Sequence, residues 1–429
     1  MLVISIKTTI ISRMPLKSCK SLWLLIAITT LVLFFLVKLA YNPSWRYHLD
    51  ADVKGFYYPH LIHFLQNSSF VGINKNEYFP GAMFFFLIPG LALLLGSNNA
   101  STYLAGLIAV NMLIIVILLY IYRKHNHFSP FIFLAILLFS GPIFFFRHDL
   151  YVSLVMILSL LLWKLHKRNF AALILGIAAT IKIYPFLIFP YFLILSLKNQ
   201  SPRKSVEIFI WFMSGIFLIF GPYILLGSST SEILSTINLN SIKPVHIESL
   251  WGSFLTIFSK ITDGTWALGK GEHGIFGIDP RYIFLPLNFY NYFWIIPLGI
   301  FYIFLYKKVS KNGELMVEVV FLIVLLFIIF SKILAGQYIF WILTLFPLIS
   351  MKDGTERIYI SSLVVVFLIV LLTQYVYPLH YTELLNNFYT RGENVMLFYL
   401  LVVRNTSLIV LFLLIYRLVF HNNYHRTNK

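Results

Sequence analysis

Long apolar runs, separated by short polar stretches, dominate the chain. Leu22 to Ala40 shows the pattern most clearly, with Lys38 near its end as the only charge. A helix rises 1.5 Å per residue, so about 20 apolar residues cross roughly 30 Å of hydrocarbon. The runs are apolar on every face, whereas membrane-barrel strands alternate apolar and polar over about ten residues. Spans are therefore expected near 21–41, 103–122, 130–146, 150–164, 170–182, 184–197, 206–226, 284–306, 314–332, 336–350, 358–377 and 396–418. This is an all-α fold: a polytopic transmembrane helix bundle of about twelve helices, with residues 1–429 forming one integral membrane domain.

Pro80 to Leu95 is apolar enough for lipid, yet a span there would invert the loops that follow. Pro89-Gly90 also splits it into two short halves, so an embedded interfacial helix is expected over 80–95. Two long outer loops result, about 41–102 and about 226–283.

Composition removes the soluble alternative, since 59% of residues are hydrophobic and only 11% charged, against roughly 25% charged in a soluble domain. A net charge of +17 would suggest nucleic acid until it is mapped. With the N-terminus inside, the inner segments hold about 20 of the 33 basic residues and about 5 of the 16 acidic ones, as short cytoplasmic loops require. The excess is topology, so no nucleic-acid partner is expected, and both termini are expected to be cytoplasmic. Lys7, Arg13, Lys17 and Lys20 precede the first run without a small-residue cleavage pattern, so an uncleaved first span is expected. Short loops point to a prokaryotic plasma membrane. The single Cys19 allows no internal disulfide. No His and carboxylate cluster has metal-ligand spacing and no Gly-rich phosphate loop occurs, so no metal or cofactor is expected. The absence of an internal repeat argues against the inverted-repeat plan of many transporters.

Ionisable residues at membrane depth are costly and mark functional sites by default. Arg147-His148-Asp149 separates two short spans, Lys182 interrupts an apolar run just before Tyr184-Pro185, Lys332 follows Phe330-Ser331, and Arg404-Asn405 interrupts the last span. Arg147, Lys182 and Lys332 fall near the same face on separate hairpins, where together they would suit an anionic lipid head group. The plainer alternative is that each snorkels to ordinary lipid phosphate. Asp50 and Asp52 directly follow the first span, and a carboxylate beside a helix end is well placed to act as general base.

Five segments carry a resemblance to a known group: Asp52 with Tyr57, Asn76 to Pro80, Gly176 to Pro185, His246 to Leu250, and Ser331 to Trp341. Together with Arg404-Asn405, they resemble the C-type-fold membrane glycosyltransferases, and within them glycosyltransferase family 87. Two positions depart from the pattern: Phe79-Pro80 replaces a double proline, and Lys243-Pro244 stands where an arginine and glycine are usual. The resemblance implies an inverting hexosyltransferase, most simply a mannosyltransferase. Its donor would be a polyprenyl-phosphate sugar and its acceptor a lipid-linked or glycan hydroxyl at the outer face. It places the family's loop acid on Asp52, with Asp50 as alternative. Lys182, Lys332, Arg147 and His148 would serve the donor phosphate, and Glu77, Tyr57, Glu248 and Gln337 the substrates. A lipid or polysaccharide transporter and an O-antigen ligase or polymerase are the competing classes.

Overall fold

A computed structural model describes residues 19–69, 78–199, 201–226, 230–264, 268–270, 276–309, 313–351, 354–384 and 396–420. Along the chain, α1 (Cys19–Ala40) leads through α2 (Pro43–Leu49) and a single π turn (Val53–Tyr57) to α3 (Tyr58–Asn67) and α4 (Pro80–Gly90). Then come α5 (Ala100–His125), α6 (Ser129–Ser140) with a 3-10 turn to Phe146, α7 (Asp149–Lys164), α8 (Arg168–Ala179), α9 (Phe189–Asn199) and α10 (Pro202–Leu225). The second long loop holds α11 (Thr230–Ile242), α12 (Leu250–Asp263) and an antiparallel hairpin of β1 (Leu268–Lys270) and β2 (Phe276–Ile278), in which Gly269 faces Gly277. After it follow α13 (Leu287–Tyr292), α14 (Ile295–Lys308), α15 (Val317–Phe330), α16 (Phe340–Leu343), α17 (Glu356–Gln374) and α18 (Met396–Phe420).

Apart from that small hairpin, the described chain is helical, as its pattern predicts. Seven of its helical segments are long and apolar enough to cross a membrane. Every expected span overlaps helix, but α7, α8, α9, α15 and the stretch Gly336–Leu348 are shorter than those seven. Basic residues close α5 (Arg123, Lys124, His125), α7 (Lys164), α9 (Lys198), α14 (Lys307, Lys308) and α18 (Arg417). There they complement the negative helix end. Since these helices alternate with returning ones, one end of the bundle is basic and the other gathers the long loops.

All residues from Val317 to Ile329 of α15 are buried, which makes this helix the centre of the bundle. α1 and α10 lie at the periphery, with Phe34 70% and Phe217 64% exposed. The segment expected at the interface is mostly sheathed by protein. In α4 eight residues are buried and Gly81 N donates to Thr180 O at 3.0 Å, while Ile88 and the tip at Leu91, Leu94 and Leu95 face outward.

α8 and α10 cross with their backbones in contact, because each carries a glycine there. A Cβ at Gly176 would meet the Phe212 carbonyl, and one at Gly215 the Leu173 carbonyl. Small residues drive close helix association in lipid. Gly215→Leu is expected to separate the pair and cost about 1–3 kcal/mol or more through overpacking, read as a lower thermal midpoint in detergent. An unchanged midpoint would remove this contact from the account of stability.

Candidate active site

Helix alternation brings five chain segments to the loop end: the π turn after α2, the α6–α7 junction, the bend between α8 and α9, the turn at His246–Ser249, and the turn between α15 and α16. At the first two, Asp52 immediately precedes the π turn, and its Oδ2 lies 3.3 Å from Arg147 Nη1. Arg147 is only 3% exposed. Its Nη1 donates to Leu49 O at 3.0 Å and Phe146 O at 3.2 Å, and its Nη2 to Tyr377 Oη at 2.9 Å. Tyr377 Oη in turn donates to His48 O. Asn111, buried in mid-helix on α5, supports the same corner by donating to the carbonyls of Phe145 and Arg147. The guanidinium is thus an anchor that fixes the approach to Asp52. Burial opposes its charge, but the Asp52 carboxylate more than restores it, and the pKa of Arg147 rises.

Asp50 stands apart from this arrangement. It is 5% exposed and paired within its own helical turns, to Arg46 at 3.2 Å and to Lys54 at 2.7 Å. The side chain of Asp52 keeps 26% of its surface open. Of the two loop acids, Asp52 is the one a substrate can reach.

Two residues beyond Arg147, Asp149 is buried at the start of α7 and accepts from Lys182 Nζ at 2.5 Å and from Trp341 Nε1 at 2.6 Å. The helix break expected at Tyr184-Pro185 is present. α8 ends at Ala179, and the turn that follows carries Lys182 to the loop end. Its ammonium lies 5.3 Å from the Tyr338 ring and 5.4 Å from the Trp341 ring, within cation-π range. Trp341 is sandwiched between Tyr184 and Tyr338 at ring separations of 4.4 and 4.3 Å. Lys182 is 15% open and has three donor hydrogens, so pairing with Asp149 leaves capacity for an anion. Gln337 is half-buried in the same turn as Tyr338.

Between the two ion pairs sits His148, enclosed by the rings of Tyr57, Tyr78, Phe85 and Phe86. Tyr57 stacks on Phe86 at 4.5 Å, and its hydroxyl lies 3.3 Å from His148 Nδ1. Among the described residues, His148 Nε2 and Asp149 Oδ2 are buried with no hydrogen-bond partner, a condition that calls for explanation in a native fold. Burial, with Lys182 adding repulsion, brings the His148 pKa down to about 3. A neutral imidazole is a poor phosphate ligand, so the expected phosphate contact from His148 is not what its surroundings favour. The folded protein then binds fewer protons here than the unfolded chain below the ordinary pKa near 6.5. Stability contributed by this site is full above that value and is lost as pH falls from about 6.5 toward 3. His148→Gln should flatten the fall of thermal midpoint between pH 6.5 and 4; an equally steep fall would show that other groups cause it.

Lys332 is tied down separately. Its Nζ donates to Ser241 O at 2.7 Å and Lys243 O at 2.5 Å. The structure makes it a clasp for the end of α11 rather than a partner of Lys182. Beside it, His246 N donates to Lys332 O at 2.9 Å, and His246 Nδ1 lies 2.6 Å from Leu334 O. Glu248, expected at the substrate, instead pairs with Arg404 Nη1 at 3.0 Å, and both side chains are almost fully buried. Arg404 Nη2 also donates to Glu248 O, while Asn405 Nδ2 donates to the carbonyls of Glu248 and Ser249 at 3.1 Å and to Ser253 Oγ at 2.7 Å. Glu77 lies outside the described residues.

The structure brings Asp52, Arg147, His148, Lys182 and Tyr57 together at one end, while Lys332 is held apart from them by the carbonyls of Ser241 and Lys243. Arg147 and Lys332 are buried and spend several donors on protein acceptors, although Arg147 Nε is buried with no hydrogen-bond partner. Tyr377 and Asn111 are not among the expected site residues, and Trp341 is named only as the end of a resembling segment. Of the first two, only Asn111 carries a visible signal, as a lone amide within an apolar run.

The fold and these paired charges define a polytopic helical membrane protein with a polar site at its loop end. The family model of glycosyltransferase family 87 matches residues 76–268. That match bears out the resemblance and covers three of the five segments that carry it. The match covers less than half of the chain and supports a glycosyltransferase, here one with membrane-length apolar helices. No curated protein matches the chain.

Proposed function

We propose that the protein transfers a hexose, most simply mannose, from a polyprenyl-phosphate sugar to a hydroxyl of a lipid-linked or glycan acceptor at the outer face of a cell membrane. Asp52 takes the acceptor proton as the acceptor oxygen attacks the anomeric carbon. The bond from that carbon to the phosphate oxygen breaks, and the polyprenyl phosphate leaves with the electron pair. Attack opposite the leaving group inverts the centre. The phosphate needs no proton to depart, so one carboxylate suffices where glycoside hydrolysis uses two. Lys182, steered by Asp149 and the Trp341 indole, offsets the charge on the departing phosphate. Arg147 holds Asp52 in place.

The observation that carries this reading is the accessible carboxylate of Asp52, fixed by Arg147, whose near neighbour Asp149 holds Lys182. It is tested with detergent-purified protein and a panel of radiolabelled prenyl-phosphate hexoses. Label should pass to an acceptor with release of prenyl phosphate and without any membrane to cross. Transfer only from nucleotide or lipid-diphosphate sugars would overturn the donor assignment. Lys182→Ala removes a charge-assisted contact of about 1.5–3 kcal/mol. It is expected to lower kcat/KM for the donor roughly 10- to 100-fold, with the acceptor KM little changed. An unaltered donor dependence would refute that role.

A further inference from the structure

α12 belongs to a loop that its position in the sequence would put in water, yet its surface is inverted. The side packed on protein carries Gly252, Ser253, Leu255, Thr256 and Ser259, while Phe254, Ile257, Phe258 and Ile261 are exposed, Ile261 to 78%. Phe284 extends the exposed side, with its ring 5.3 Å from Phe258. The small polar residues need no water. Ser253 Oγ accepts from Asn405, while Thr256 Oγ1 donates to Gly252 O at 2.7 Å and Ser259 Oγ to Thr256 O at 2.9 Å.

Depth follows from the residues that grip the start of this helix. Asn405 bonds the Ser249 carbonyl and Ser253, and it lies in α18, a helix of 25 residues. Its 25 described residues cover about 37 Å, enough for a hydrocarbon layer of about 30 Å. Arg404 is eight residues beyond the first described residue of α18, about 12 Å along its axis, and the residues between, Met396 to Val403, carry no charge, so Arg404 lies below the edge of the hydrocarbon. From there α12 runs back outward along α18: Thr256 and Ile257 line a shared apolar groove with Phe398, Tyr399 and Leu401. Lys260 and Asp263 mark the outer end, where Gly264 adopts a positive φ of 66°.

We infer that residues 246–263 form a re-entrant segment and that the outward face of α12 contacts lipid hydrocarbon in the loop-side leaflet. Irregular backbone at membrane depth survives only where protein satisfies it. The Arg404-Asn405 pair and the Lys332 carbonyl do so for His246 to Ser249. The occupant of the face is the bilayer itself, because the groove continues directly into the lipid-facing side of α18.

The test uses full-length protein in nanodiscs, with Cys19→Ser removing the native thiol and nitroxide labels placed singly by Phe254→Cys, Phe258→Cys and Ile261→Cys. Oxygen collision should exceed that of a water-soluble nickel chelate at all three, with the excess growing from 261 to 254. Nickel access at all three, or labels shielded from both reagents by a second copy of the chain, would overturn the assignment. The unsubstituted protein supplies an independent reading. A carbene probe confined to the acyl region should modify the peptide holding residues 250–263; failure to do so while α18 is modified would also overturn it.

Discussion

Asp52→Asn is expected to lower hexosyl transfer by at least about a hundredfold while leaving the protein folded and inserted. General-base catalysis contributes roughly 10²- to 10⁴-fold, and an amide cannot take the proton. The substitution is nearly isosteric and keeps an oxygen facing Arg147 across 3.3 Å, so the anchoring to Leu49, Phe146 and Tyr377 survives. Asp50→Asn should act differently, since it weakens only two local pairs, with Arg46 and Lys54, and such pairs contribute little when partly exposed. The measurement is initial rate under saturating donor and acceptor, with thermal midpoint as the folding control. Retained turnover in Asp52→Asn, or a larger loss in Asp50→Asn, would move the base to the other acid.

Arg404→Leu should cost about 3–5 kcal/mol, the usual penalty for removing one member of a buried ion pair. Arg404 is 0% exposed and Glu248 2%, so the remaining carboxylate would be left charged and unpaired among apolar side chains. The carbonyl of Glu248 would lose a donor as well. Replacing both partners, as Arg404→Leu with Glu248→Leu, should recover much of the loss because no buried charge remains. A thermal midpoint in detergent reads the first effect, and faster hydrogen exchange across residues 246–253 reads the detachment of the segment. If the single change leaves both unmoved, the clamp is not what holds this loop.

These two expectations rest on residues that sequence reading weighted differently. Asp52 was visible because a carboxylate directly after a spanning run is rare and well anchored. Glu248 was visible as part of a motif, but its partner lies 156 positions away, and no local pattern shows that Arg404 would claim it. Lys182 and Lys332 look equivalent in sequence, each a lone cation beside an apolar run. Packing separates them: one stands partly open against Asp149 and two aromatic rings, while the other is capped by the carbonyls of Ser241 and Lys243. α12 is similarly ambiguous, since its apolar periodicity fits burial against protein as well as it fits lipid.

The sequence by itself determined that this chain lives in a bilayer, where its helices fall and which ends carry the basic residues. Those are properties of single segments, set by the energy of putting each residue in hydrocarbon or water. Only the tertiary structure decided which charged side chains meet. It paired Asp52 with Arg147, Asp149 with Lys182 and Glu248 with Arg404. The physical reason is that a buried charge is stabilised by whichever partner its neighbours bring within reach, and that depends on how distant helices cross.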